Sequence, residues 1–381
     1  MPSLPLGRFR MLDLSRQLPG PFCSTLLADL GMDVLVITAP RDPFGMGIPF
    51  LARNKRSMTL DLKTDAGRDI FLRLVDSADV LLEGFRPGVM QRLGFDWEAL
   101  RARNPRLVYC AISGYGQDGP YRERVGHDVN YLGFAGVIDI TGTTGGPPAI
   151  PGVQIADIGG GALMAATGIL SALLAREATG EGQLVDIAMM DGAVAWQVIH
   201  VFDALAQGTR QRRGETMLTG RFPCYALYET KDGRWLTVGA LEPHFWRTLC
   251  GALGMPELAE HQFADGSARD ETFRRVRAKF KERTMAEWVA ALADLDVCVG
   301  PVATVGEMLD DPQVRHRQMV TEVVDRAGVS RRTLGNPLKL SATPPTFRTP
   351  PAEFGAHTDE VLAGLGYSPA DVGGLRARGV V

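Results

Sequence analysis

The chain has 381 residues, of which 45% are hydrophobic and 22% charged, and its formal net charge is −3. This composition is typical of a globular protein long enough for two domains, and it lacks the basic surface of nucleic-acid-binding proteins. The five cysteines form no CxxC pair, which argues against a disulfide scaffold or a zinc site and favours a reducing cytoplasm.

The first half of the chain alternates strand-like and helix-like segments. Strands are predicted at 10–15, 33–38, 57–62, 79–85 and 106–114, and helices at 23–31 and 65–78. Such alternation indicates a parallel α/β sheet. The loop after the first strand, SRQLPGPF, lacks the GxGxxG fingerprint, so a nicotinamide dinucleotide is not indicated.

The second half begins with a long helix, predicted from Asp157 to about Arg176, and a turn, a strand and a helix follow it. The longest apolar run, 162–175, is shorter than the roughly 20 residues of a membrane span, so no membrane partner is expected. A polar linker at 206–222 and a hairpin at 225–240, turning at 231–233, introduce a smaller α+β domain.

Three titratable residues stand in apolar or glycine-rich segments. Asp157 precedes a helical run and alone suggests an N-cap. The glycines at 159–161 would let another group approach the backbone closely, and a carboxylate there stays ionised. His127 is either a buried, hydrogen-bonded histidine or a proton carrier, since its pKa lies near working pH. Glu242, before Pro243, is either a first-turn acid or a partner that orients an imidazole.

Basic and amide side chains form two further groups. Asn54, Lys55 and Arg56 occur in ARNKRSMTLDL, and Arg86 and Arg92 occur in EGFRPGVMQRLG. They are either scattered surface charge or a cradle for phosphates, to which arginine binds in a bidentate manner.

The chain resembles the class III CoA-transferase family, and within it most closely the α-methylacyl-CoA racemases. The resemblance covers nearly the whole chain and rests on these segments: LPGPFCSTLLADLGMDV, NKRSMTLDLK, VLLEGFRPGVMQRLG, SGYGQDGPY, GHDVNY, DIGGG, YETKDGRWLTVGALEPHF and HTDEVLAGLGYS.

The resemblance implies a Rossmann-like large domain and a small α+β domain. Residues 1–200 would form the CoA-binding part of the large domain, 201–224 a linker, 225–320 the small domain, and 321–381 a return segment that completes the large domain. Two chains would interlock as a homodimer, with each active site between the large domain of one chain and the small domain of the other.

The resemblance also implies roles for single residues. In racemases of this family, the residues matching His127 and Asp157 face each other across the α-carbon of an acyl-CoA substrate. The residue matching Glu242 orients the histidine, and the backbone amide matching Asp128 stabilises the enolate. No metal or redox cofactor is implied, since CoA is part of the substrate.

Two alternatives remain open. In the transferases of the family the aspartate matching Asp157 is a nucleophile, the histidine is generally absent, and many have a glycine-rich loop where this chain reads GALEPHF. Both differences favour the racemase over a CoA-transferase. A non-catalytic acyl-CoA-binding protein is the third hypothesis, and it does not explain why the three acid–base residues are all present.

The chain departs from the family pattern at 31–40, where GMDVLVITAP stands in place of the frequent GADVIKVE. A basic residue near that point contacts CoA phosphate in the family, and Arg41 is the expected substitute. The acyl group is not identified by the sequence. Met189, Met190 and Met217 are candidates for an acyl-binding surface, although core packing is the better interpretation for the first two.

Overall fold

A computed structural model describes residues 4–42, 48–208, 210–324 and 328–381. The chain divides into two compact units. The first contains Met1–Ala135, Gly152–Trp196 and Pro312–Val381, and the second contains Gly136–Pro151 and Gln197–Asp311.

The strands, numbered in chain order, are β1 (Arg10–Asp13), β2 (Asp33–Thr38), β3 (Lys55–Thr59), β4 (Val80–Glu83), β5 (Val108–Ser113), β6 (Leu184–Ala188), β7 (Tyr225–Glu229), β8 (Trp235–Gly239), β9 (Val299–Pro301), β10 (Val320–Val324) and β11 (Ser330–Leu334). The α-helices are α1 (Pro19–Asp29), α2 (Asp65–Val75), α3 (Val89–Leu93), α4 (Trp97–Arg103), α5 (Asp128–Phe134), α6 (Val137–Ile140), α7 (Met164–Thr179), α8 (Met189–Ala195), α9 (Val198–Gln207), α10 (Pro243–Ala252), α11 (Gly266–Phe280), α12 (Met285–Leu292), α13 (Val305–Asp310), α14 (Pro312–His316), α15 (Thr358–Gly364) and α16 (Pro369–Ala377). A π-helix (Ile155–Leu163) leads directly into α7, and short 3₁₀ helices span Pro49–Ala52, Met217–Thr219 and Pro256–His261.

The first unit is built on a six-stranded parallel sheet of order β3-β2-β1-β4-β5-β6. The predicted parallel α/β sheet is confirmed. Strands β4 and β5 are buried along their whole length, as expected for a parallel sheet with both faces covered. The strand order reverses between β1 and β4, and ligands of such sheets bind outside the carboxyl ends of the strands at this point.

The C-terminal segment completes the first unit. Asp61 N–H donates to the carbonyl of Val380 at 2.7 Å, and His357 N–H donates to the carbonyl of Ser57 at 2.8 Å. Side chains of α15 and α16, including Leu362, join the core that covers one face of the sheet. The last residues of the chain therefore pack beside its first strands.

The second unit has an antiparallel sheet of order β7-β8-β9. The predicted hairpin is confirmed: Tyr225 pairs with Gly239, and Gly233 in the turn has a φ of 73°. Its core contains Trp246 on α10 and Trp288 on α12, both almost fully buried. The structure adds a third strand, β9, which the local pattern did not predict.

The unit boundaries differ from the predicted domain boundaries. Residues 136–151 belong to the second unit because Arg213 holds them there: its Nε donates to the carbonyl of Asp139 at 2.9 Å, and its guanidinium also donates to the carbonyl of Gly146 at 2.5 Å. The segment 201–224, predicted as a linker, contains most of α9 and the short helix Met217–Thr219. Arg213, which lies in this segment, therefore has a structural role within the second unit.

One continuous helical run, Ile155–Thr179, has 25 residues and is long and apolar enough to cross a membrane by length and composition. This run extends beyond the 162–175 segment on which the sequence argument against a membrane span was based. Half of its apolar window is buried within the structure, and its first part packs against α8 and α1. A core helix satisfies the same test, so the run is weak support for a span.

Candidate active site

His127 occupies the N-cap position of α5, with an extended backbone (φ −126°, ψ 177°). Its N–H donates to Oδ1 of Asn130 at 3.0 Å, and its carbonyl accepts from the N–H of Asn130 at 2.8 Å. The residue is exposed, so the alternative of a buried, hydrogen-bonded histidine is wrong for this chain. Backbone contacts fix the start of the helix, and the imidazole remains accessible.

Tyr131 holds the backbone that precedes His127. Its hydroxyl donates to the carbonyl of Gly126 at 2.5 Å. A Cβ at Gly126 would lie 2.8 Å from the tyrosine ring, and one at Gly114 would lie 2.4 Å from it. The two glycines are therefore needed so that the ring can lie against the chain next to His127.

Asp157 is not the N-cap that the sequence suggested. The π-helix begins at Ile155, so Asp157 is in its first turn, and the preceding residue, Gln154, makes no side-chain cap. The cap comes instead from Asp128, whose Oδ2 accepts from the N–H of Ala156 at 2.8 Å and from that of Asp157 at 3.1 Å. The interpretation failed because the cap comes from a different helix, which no local pattern encodes.

The carboxyl of Asp157 is electrostatically coupled to its neighbours. Burial, and then the negative charge of Asp128, raise the pKa of Asp157 to about 6, while the charge of His127 acts in the opposite direction. The negative charge of Asp157 in turn adds to the burial that raises the pKa of Tyr131. His127, Asp128, Tyr131 and Asp157 thus form one cluster in the first unit.

The glycine run after Asp157 allows close packing of helices. A Cβ at Gly160 would lie 2.5 Å from the carbonyl oxygen of Met189, and one at Gly161 would lie 2.9 Å from the side chain of Met189. The close approach to the backbone that the sequence suggested therefore occurs at Gly160 and Gly161, and the element that approaches is α8. Met189 is buried, which agrees with core packing as the better interpretation of this residue.

Glu242 lies in the second unit, at the N-cap position of α10, just before Pro243. It is exposed and makes no side-chain cap, so the first-turn acid that the sequence suggested does not bond to the helix terminus. Its charge adds to the burial that raises the pKa of Cys298, which places these two residues close together. Cys298 lines a cavity of about 1400 Å³ over the β7-β8-β9 sheet, together with Leu218 and Tyr225.

Asn54 and Lys55, predicted to contact phosphate, are buried and bonded within the first unit. Lys55 Nζ donates to Ser24 Oγ at 2.7 Å and lies 3.9 Å from Asp13 Oδ2, and burial lowers the pKa of this lysine to about 8. Asn54 Nδ2 donates to Asp29 at 2.8 Å. Both side chains are therefore committed to partners on α1, and neither is available to a phosphate in solution.

The other predicted phosphate contacts remain accessible. Arg56 is partly exposed and pairs with Asp33 at 2.8 Å, whereas Arg41, Arg86 and Arg92 are exposed. Arg86 lies in the loop after β4, at the reversal of strand order, and its charge opposes the rise in the pKa of Tyr131. This loop therefore lies near the cluster that contains His127 and Asp157.

The profile of CoA-transferase family III matches residues 6–358 of the chain. The chain belongs to this family. The predicted family resemblance is thereby confirmed, and it extends over most of the chain.

Several known proteins are similar to this chain over most of its length. The α-methylacyl-CoA racemase of Homo sapiens is 37% identical over 95% of this chain and 94% of that protein. The succinyl-CoA–D-citramalate CoA-transferase of Chloroflexus aurantiacus is 34% identical over 100% of this chain and 99% of that protein. The crystal structure of a CaiB/BaiF family protein from Brucella suis has a TM-score of 0.81 and 32% identity, covering 95% of this chain and 99% of that one.

Three residues of the candidate site were not identified from the sequence. The side chain of Asp128 was overlooked in favour of its backbone amide, and Tyr131 was not singled out although it ends the GHDVNY segment. The third is Gly192 on α8, where a Cβ would lie 2.2 Å from the Cα of Gly160, and its one available signal was a glycine inside a predicted helix.

Proposed function

We propose that this protein is a racemase that interconverts the R and S forms of 2-methylacyl-CoA thioesters. One observation carries the proposal: His127 and Asp157 lie in one unit with coupled charges, and the pKa of Asp157 is raised to about 6. A carboxyl with that pKa can hold or release a proton near neutral pH, and imidazole is the side chain that most often carries protons in this range. The greater similarity to the named racemase than to the named transferase supports this choice.

In one direction the neutral imidazole of His127 removes the α-proton. The electrons of the C–H bond form the enolate, and the charge moves to the thioester oxygen. The protonated carboxyl of Asp157 then delivers a proton to the opposite face of the α-carbon. In the other direction the Asp157 carboxylate removes the proton, and the His127 imidazolium returns one.

The enolate oxygen needs a hydrogen-bond donor, which we assign to the backbone N–H of Asp128. This N–H is the first of α5, and the first amides of a helix have no acceptor within it. A preorganised donor of this kind is worth about 3 kcal/mol in the transition state. We further propose that Arg41, Arg86 and Arg92 contact the CoA phosphates. In a homodimer of interlocked chains, Glu242 of one copy would orient His127 of the other.

A CoA-transferase is the second candidate, because relatives with that name match the full length of the chain. There the Asp157 carboxylate would attack the thioester carbonyl, forming an acyl anhydride and releasing the CoA thiolate. This route requires Asp157 but not His127. Replacement of His127 therefore separates the two functions.

The test is proton NMR of (R)- or (S)-2-methylacyl-CoA in deuterated water. With the wild-type protein we expect the α-proton signal to disappear and both enantiomers to reach the same mixture. The variants H127A and D157N should lose interconversion, with exchange confined to the enantiomer whose α-proton faces the remaining base. Absence of exchange in the wild type, with CoA moving to an added carboxylic acid and H127A retaining that transfer, would establish the transferase instead.

A further inference from the structure

We propose that the Asp128 side chain is a positioning residue that holds the helix carrying Asp157 at a fixed separation from His127. This inference rests on the proposed racemase function and concerns a side chain to which that function assigns no role. Asp128 is adjacent to His127 in the chain, and its carboxylate is bonded to the first turn of the other helix. One residue therefore connects both proton carriers.

The geometry of the connection is specific. Asp128 is the first residue of α5, 9% exposed, and a single oxygen, Oδ2, accepts from the backbone N–H groups of both Ala156 and Asp157. These residues are 28 and 29 positions away in the sequence. The second bond ends on the backbone of Asp157 itself, so a shift of the π-helix would stretch it directly.

A cap that served only helix stability would not need this arrangement. A side chain at Gln154, the N-cap position of the π-helix, could supply the bond locally, yet Gln154 makes no such contact. The cap is supplied instead by the residue next to His127. In enzymes, displacement of a reacting group by about 1 Å costs on the order of 100-fold in rate, so a direct connection between the two groups matters for proton transfer.

The charge of Asp128 also acts on Asp157. The elements packed against the π-helix are α1, α5, α7, α8 and β6. Their titratable or charged groups are Cys23 and Asp29 on α1, Asp128 and Tyr131 on α5, Arg176 and Glu177 on α7, Asp191 on α8, and Asp186 on β6, with His127 at the start of α5. The charges that act on Asp157 are those of Asp128, which raises its pKa, and of His127, which lowers it.

The experiment compares D128N, D128A and a control, D191N. D128N keeps an amide oxygen that accepts the two N–H groups but removes the charge, whereas D128A removes both. D191N removes a charge from α8, which packs against the same helix, and Asp191 is exposed. The readouts are kcat and KM in both directions, the pH profile of α-proton exchange, and the pKa of the Asp157 carboxyl, measured by ¹³C NMR in the free protein.

We expect D128A to lower kcat about 100-fold in both directions with KM little changed. We expect D128N to keep at least tenfold more activity than D128A, with the Asp157 titration moved to lower pH. The limb of the pH profile that reports Asp157 should move with it: the acid limb where Asp157 is the base, and the alkaline limb where Asp157 is the acid. D191N should match the wild type. Equal kcat for D128N and D128A, or an Asp157 titration in D128N that coincides with the wild type, would overturn the proposal.

The test depends neither on the folding of D128A nor on the racemase activity. If D128A does not fold, D128N and the NMR titration still decide the outcome, because D128N retains the acceptor. If the wild-type protein exchanges no α-proton, the racemase proposal fails by itself. The Asp157 titration and the amide hydrogen exchange of Ala156 and Asp157 then still report whether Asp128 holds and polarises the helix.

Discussion

Gly160 and Gly192 are in direct backbone contact: a Cβ at Gly192 would lie 2.2 Å from the Cα of Gly160. The contact joins the π-helix that carries Asp157 to α8, which follows directly after the last strand of the parallel sheet. No real Cβ occupies such a position, so both residues must be glycine for the helices to meet. This contact therefore fixes how closely the helix that carries Asp157 packs against α8.

Replacement of Gly160 by alanine is expected to destabilise the protein and to remove activity. A Cβ at Gly160 would lie 2.5 Å from the carbonyl oxygen of Met189, and because that atom is backbone it cannot swing away. Overpacking of this kind costs at least about 2 kcal/mol. Urea denaturation and α-proton exchange measure the two effects.

Gly133 provides the matched control, because it lies in α5 and a Cβ there would meet nothing within 4 Å. G133A should be neutral or stabilised by up to about 1 kcal/mol, as for glycine in a helix. If G160A were as stable and as active as G133A, the close contact would not constrain the site.

Replacement of Asp157 by asparagine is expected to stabilise the fold while it removes catalysis. The pKa of Asp157 is raised to about 6, so between pH 4 and 6 the folded state keeps a proton that the unfolded state releases. Stability from this group therefore falls as pH rises through that window. D157N avoids this loss and should be more stable by about 1 kcal/mol at pH 8, after allowance for the partial exposure of the group.

Urea unfolding of both proteins at pH 4 and pH 8 tests this prediction. The two free energies of unfolding should differ less at pH 4, where the folded carboxyl is protonated and a substantial fraction of the unfolded carboxyl is protonated too. A difference that is the same at both pH values would show that Asp157 is not held in an unfavourable environment. Stability lost at a working residue is common in enzymes.

Replacement of Glu83, whose pKa is also raised, should likewise stabilise the protein at high pH but leave catalysis unchanged. Glu83 is 4% exposed at the end of β4, and burial raises its pKa to about 8 although the N–H of Phe85 donates to its carboxylate. Since the folded pKa exceeds the unfolded one, stability falls as pH rises from about 4.5 to 8. E83Q should exceed the wild type by about 3 kcal/mol at pH 8 and match it near pH 4.

Thermal unfolding of E83Q and wild type across pH 4–9 measures this difference. The glutamine oxygen can still accept the N–H of Phe85, so the loop that carries Arg86 should keep its conformation. A parallel pair of pH–stability curves would contradict the raised pKa.

Replacement of Lys55 is expected to lower stability, whereas replacement of Arg86 is expected to weaken CoA binding. K55M removes the cation next to buried Asp13 and should lower the free energy of unfolding by about 3 kcal/mol, with the Kd for CoA unchanged. R86M removes an exposed cation and should weaken CoA about tenfold with little change in stability.

Isothermal titration with CoA and urea unfolding, both done on each variant, separate the two roles. Weaker CoA binding by folded K55M at unchanged stability would restore the original assignment of Lys55 to phosphate. Repeating the R86M titration at higher salt provides a further check, because an exposed charge contact weakens as ionic strength rises.

Local sequence determined most strands of the parallel sheet, the hairpin of the second unit and the identity of the candidate bases. The buried runs that became β4 and β5 carry their strand signal in consecutive residues, and Asp232-Gly233 carries the hairpin turn within a few positions. His127, Asp157 and Glu242 could be identified because each lies in a short motif of consecutive residues. These properties depend on neighbours in the chain, so a sequence expresses them directly.

Only the tertiary structure decided what surrounds those residues. Asp128 caps a helix 28 residues away, Lys55 is enclosed by α1, and Arg213 draws residues 136–151 into the second unit. A lysine or aspartate has the same local signal whether it faces water or a distant carbonyl. Its burial, its partners and hence its pKa depend on segments that are distant in the sequence and come together only in the folded protein.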